Sequence, residues 1–128
     1  AGIINEKVKT TDIDSAAELL IMDLPLRDVS GVFAYLPFGG WNDCPNAETQ
    51  LAFTHYWREK YGAIPAALDG ADCLEFLVER PVTDPIEAKN LAVEQFAFCS
   101  DLPFQVFEDI EQLTEFIHQS RQWYFWWD

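Results

Sequence analysis

Two short stretches hold the residues best suited to chemistry. The first, Gly39-Gly40-Trp41-Asn42-Asp43-Cys44, sets an amide, a carboxylate and a thiol beside paired glycines, which permit unusual backbone angles and close approach of a ligand. Pro45 suits the first position of a helix, so Cys44 would stand at the positive end of a helix dipole, where a thiolate is stabilised. The second stretch is Cys99-Ser100-Asp101, with Gln105 close by. Gly39 to Cys44, Cys99, Asp101 and Gln105, with Trp126 and Asp128 of the closing aromatic run, make up the candidate binding set. A nucleophilic thiol needs a base beside it. His55 lies eleven positions past Cys44, about 16 Å along one helix at 1.5 Å per residue, and is too distant. His118 could reach the thiol only through the tertiary fold. A tight turn, a helix cap and a packed cysteine are the plainer reading of the same loop.

Other chemistries find less support. Cys44, Cys99 and the neighbouring aspartates lack the dense spacing of structural zinc sites, so no metal ligands are assigned. Glu48, His55 and Glu59 share one helix face, and Glu111, Glu115 and His118 share another. Both sets read as solvated faces with charge pairs inside the helix. Gly39-Gly40 has neither the spacing nor the lysine of a phosphate-cradling loop, and no serine-centred nucleophile elbow is present. No cofactor is expected.

The elements that must position these residues are well punctuated. Ser15 followed by Glu18 is a capping-box pattern, and Ala16, Leu19, Leu20 and Met22 suggest a short helix. Val32 to Leu36 reads as a strand closed by Pro37 and the Gly39-Gly40 turn. A second helix runs from Pro45 to a glycine cap at Gly62. Ile64 to Leu68 and Cys73 to Glu79 look like two strands of a hairpin turning over residues 69–72. Asp84-Pro85-Ile86-Glu87 opens a third helix, which should end near Cys99 and lie nearly engulfed. Asp109 with Gln112 opens a fourth that ends near Ser120, with Ile110, Leu113, Phe116 and Ile117 on its inner side. The aromatic run is the last strand, Trp123, Phe125 and Trp127 facing one way and Tyr124 and Trp126 the other. Burying one large apolar side chain stabilises by roughly 1.5–3 kcal/mol, so five successive rings belong in a core. The expected fold is one α+β domain over residues 1–128: a mixed or antiparallel sheet packed with three to four helices, its C-terminal aromatic strand inside.

Composition narrows the partners. Twenty-two acidic residues face eight basic ones, a formal net charge of −14, which repels nucleic-acid phosphates and would draw a basic protein. The same acidity also keeps an aromatic-rich protein dissolved. Cys44, Cys73 and Cys99 form no close pair and fit free thiols in a reducing compartment, so a cytoplasmic location is expected. No apolar run nears the ~20 residues that cross a bilayer, and no membrane association is expected.

Several separated motifs match a known family in order. Residues 37–45 (Pro-Phe-Gly-Gly-Trp-Asn-Asp-Cys-Pro) and 56–63 (Tyr-Trp-Arg-Glu-Lys-Tyr-Gly-Ala) closely resemble the bacterial domain of unknown function 4253 family. Arg80-Pro81, Glu87-Ala88, residues 94–101 and the closing residues 123–128 continue the resemblance, which spans about Pro37 to Asp128 and leaves residues 1–36 as an extension packed upon it. Ser100 departs from the family's usual proline, which affects only the local turn. The resemblance implies kinship and no activity.

Two functions from different classes remain. One is a non-catalytic protein-binding module, similar in size and acidity to the immunity proteins that neutralise basic toxins. The other is a small enzyme or ligand-binding protein in which the Gly39–Cys44 loop and the Cys99–Asp101 segment border an aromatic pocket. The second requires those two segments to meet.

Overall fold

A computed structural model describes residues 20–128. In chain order it holds a short 3₁₀ helix (Val29–Ala34), α1 (Ala47–Tyr61), β1 (Ala63–Asp69), β2 (Cys73–Val78), α2 (Pro85–Phe98), a π-helical turn (Leu102–Val106), α3 (Ile110–Ile117) and β3 (Gln122–Trp126). The sheet has three strands in the order β1-β2-β3, antiparallel throughout. The expected α+β domain is present.

The helix boundaries follow their caps. The Asn46 side chain accepts from the Thr49 amide at 2.9 Å, so α1 starts two residues after Pro45 rather than at it. Gly62 ends α1 in a left-handed conformation, φ 62°, which costs glycine nothing. Asp84 caps α2 through the Ile86 amide, with Pro85 as the first helical residue. Asp109 caps α3 through the Gln112 amide at 2.8 Å, and the Gln112 side chain accepts in return from the Glu108 amide at 3.1 Å. That helix stops at Ile117, short of Ser120.

Three expectations need correction. Val32 to Leu36 is not a strand; its first residues complete the 3₁₀ helix, which Asp28 caps by accepting from the Ser30 amide. A short apolar run fits either element by pattern, and among the described residues no strand pairs with this one. The Ser15–Leu19 part of the first expected helix lies outside the described residues, while Leu20 and Met22 are exposed and not helical. Nor is α2 engulfed. Ala88, Leu91, Ala92, Gln95 and Phe98 are buried, but Ile86, Val93 and Phe96 are exposed.

The core lies between one sheet face and the helices. Trp123 and Phe125 of β3 and the following Trp127 project there, all essentially inaccessible, against Trp57 of α1 and Phe98 of α2. Trp57 also meets Phe53 and Phe76, and its Nε1 donates to the Glu94 carboxylate at 3.2 Å. A buried indole thus keeps a hydrogen bond. On the opposite sheet face, Tyr124 sets its hydroxyl 3.0 Å from Cys73 Sγ, and Trp126 Nε1 donates to Asp72 at 3.2 Å.

Candidate functional site

The Gly39–Cys44 loop is shaped by a residue outside it. Gln50, fully buried on α1, directs its amide nitrogen to the Phe38 carbonyl (3.2 Å) and the Pro45 carbonyl (3.1 Å), with Cys44 Sγ at 3.9 Å. Gly40 closes the loop by donating to the Cys44 and Pro45 carbonyls at 3.1 and 3.0 Å. Gly39 has φ 84°, and any Cβ there would collide with the Pro45 carbonyl and the Gln50 amide. The motif's first glycine is therefore needed for packing against Gln50.

The loop meets the second candidate segment through the C-terminus. Asn42, itself at φ 44°, donates from Nδ2 to the Asp128 main-chain carbonyl at 2.8 Å. The Asp128 amide donates to Asp101 Oδ2 at 3.0 Å, and Cys99 Sγ donates to the Trp126 carbonyl at 3.0 Å. Asp128 therefore joins residues 42 and 101, placing the two motif segments side by side. Beside this junction Trp41, Ala71, Asp72, Trp126, Trp127 and Asp128 line an open hollow of about 430 Å³.

Not every candidate reaches that hollow. Gly39 and Cys44 are turned toward Gln50. Gln105 is exposed on the π-helical turn, where its amide donates to the Asp101 carbonyl at 2.8 Å. Asp43 is exposed as well. Asp72 is the lining carboxylate that sequence reasoning missed; its place in a hairpin turn gave no sign that it would hold Trp126. Gln50 was missed too, because a polar residue on a helix normally faces water.

The thiols are poorly suited to nucleophilic work. Burial pushes Cys44 up to about 11, despite the Gly40 amide that favours its thiolate. Burial pushes Cys99 up to about 12 and also raises Cys73. The stabilised thiolate suggested by a helix start is not realised, because desolvation outweighs the helix end. Neither histidine is placed to act as a base for these thiols: His55 Nδ1 is 2.9 Å from Ser30 Oγ, and His118 Nε2 is 2.8 Å from the Thr83 carbonyl. Among the described residues, no three His, Cys, Asp or Glu side chains gather where they could hold a metal ion. No helix among them is long and apolar enough to cross a membrane.

Comparison with known proteins places this arrangement. The model of the domain of unknown function family DUF4253 matches residues 20–128. The chain belongs to that family. The match begins ahead of Pro37, where the motif resemblance starts, so the 3₁₀ helix is part of the DUF4253 region. No curated protein and no solved structure matches the chain.

Proposed function

We propose that this DUF4253 protein is a non-catalytic module that docks a basic protein on the outer face of α2. The observation that carries this reading is the unburied apolar stripe on that helix. Ile86 (73% exposed), Val93 (54%) and Phe96 (37%) share one side, and Phe104 (70%) of the π-helical turn extends it. The Phe96 and Phe104 rings already meet edge to face, centroids 5.8 Å apart. Contiguous exposed apolar surface of this kind favours protein contact. The neighbouring helix is largely acidic: α3 packs on α2 and exposes Glu111, paired with Lys89 of α2 at 3.1 Å, and Glu115, with Glu108 and Asp109 exposed just before it. A basic partner with an apolar centre complements both features. An immunity-like role is one form of this reading and rests on size and acidity alone.

The experiment is capture with the full chain at low salt, followed by the pair Val93→Asp and Phe104→Asp. A stoichiometric basic partner is expected, released by added salt and lost in the double variant, whose melting temperature stays unchanged. Recovery of no such partner, or equal binding by the double variant, overturns the proposal.

A second reading, a ligand-binding protein, draws on the hollow beside Trp41 and Trp126 and on the Asn42–Asp128–Asp101 junction. It expects Asp101→Ala to abolish ligand binding in a folded protein. A small-molecule screen that yields no ligand sensitive to Asp101→Ala removes it.

A further inference from the structure

Three of the four arginines of this acidic chain line one groove, although they stand as far apart in sequence as positions 27 and 121. The groove, about 570 Å³, opens between the start of the 3₁₀ helix, the C-terminal end of α1 and the far end of the β1–β2 pair. Arg27, Arg58 and Arg121 line it, and Arg80 stands behind, paired with Glu79 at 3.5 Å. We propose that this groove binds a small amphipathic anion: a phosphate or carboxylate on an apolar body.

The charges there are unequally matched. Arg58 bonds Asp28 at 3.3 Å and approaches Glu79 at 3.8 Å, and Arg80 also donates to the Glu59 carbonyl at 2.9 Å. Those two guanidinium groups have carboxylates. Among the described residues the Arg121 side chain makes a 3.2 Å bond to the Glu79 main-chain carbonyl and no ion pair, and Arg27 has no ion pair either. Both are exposed. Three lining guanidinium groups thus face two lining carboxylates, Asp28 and Glu79, a local positive excess inside a protein of net charge −14.

The groove wall specifies the rest of the ligand. Ile64, Leu77 and Val78 supply apolar surface, and Leu77 is 53% exposed within a strand, where an aliphatic side chain gains most by being covered. A guanidinium fork matches the two oxygens of a carboxylate or phosphate, and adjoining apolar walls take the hydrocarbon part. A long polyanion would be repelled by the acidic surface beyond the groove. A small anion feels mainly the local field, because charges more than about 8 Å away are screened at physiological salt.

Titration of the full chain with octyl phosphate, octanoate, inorganic phosphate and octanol, followed by amide NMR shifts and calorimetry, tests this. Octyl phosphate or octanoate should saturate, moving the amides of Arg27, Ile64, Leu77 and Arg121, and the stronger of the two identifies the preferred acid group. Arg27→Gln with Arg121→Gln should weaken that binding by about tenfold or more. Arg27→Gln is also read alone, since Arg121 supports the Glu79 carbonyl. Unchanged affinity in both variants, equal binding of octanol, equal binding of inorganic phosphate, or shifts confined to other surfaces would each overturn the proposal. None of these readouts involves the α2 face.

Discussion

The indole of Trp57 lies stacked on the ring of Phe125, centroids 5.6 Å apart and planes within 10° of parallel. This contact joins α1 to β3, and Phe76, Phe98 and Trp123 close around the same indole edge to face. Such ring pairs add about 0.5–1.5 kcal/mol each beyond the area they bury. The C-terminal aromatics are therefore central to the core and also anchor the two motif segments through Asp128.

Removal of residues 123–128 should abolish cooperative unfolding. It would delete Trp123, Phe125 and Trp127 from the core and one edge of the sheet. Calorimetry and near-ultraviolet circular dichroism should lose their sharp transition. A truncated chain that still melts in one steep step contradicts the central role of these rings.

Gly39 and Gly40 should respond differently to alanine despite similar backbone angles, φ 84° and 79°. A left-handed conformation costs a non-glycine residue roughly 1–2 kcal/mol at either place. At Gly40 the added Cβ has nothing closer than Asn46 Cα at 4.0 Å, so that is the whole penalty. At Gly39 it would also strike the Pro45 carbonyl and the Gln50 amide, both held in hydrogen bonds. Urea unfolding should therefore show Gly39→Ala clearly less stable than Gly40→Ala. Equal losses would mean that Gln50 does not shape the loop.

Stability should fall in alkali. Cys44 and Cys99 are raised from the ordinary 9.0 to about 11 and about 12 by burial, and Tyr124 and Tyr61 are raised for the same first reason. Above pH 9 the unfolded chain releases thiol protons that the folded chain keeps, so the unfolded state binds fewer protons and is favoured as pH rises. The contribution is complete below about 9 and is lost between there and 11 to 12. The melting temperature should decline across that window, less steeply in Cys99→Ala. A thiol reagent near pH 8 should label Cys44 and Cys99 slowly until denaturant is added. Rapid labelling of either in the native protein contradicts this placement.

Sequence and structure agree most closely where the signal is local. Asp84 and Asp109 cap helices through their own next turn, Gly62 ends one, and residues 69–72 turn the hairpin, so each of these boundaries is encoded within a few residues. The run from Val32 to Leu36 differs from its expectation because five apolar residues suit either period, and among the described residues no strand pairs with it. The outer face of α2 was misread because an apolar stripe does not reveal whether its cover lies within the chain.

Of the candidate site, Asn42, Asp101 and Asp128 were recognisable as motif residues, but their connection runs through the main chain of the last residue. By itself the chain's order of apolar, capping and turn residues determined the helices, the hairpin and the aromatic closing strand, because those preferences act over one or two turns. Tertiary structure alone decided that Gln50 would be buried, that the thiols would be desolvated and that arginines 27, 58 and 121 would share a groove. Burial and electrostatic pairing depend on distances through space, which linear spacing does not record.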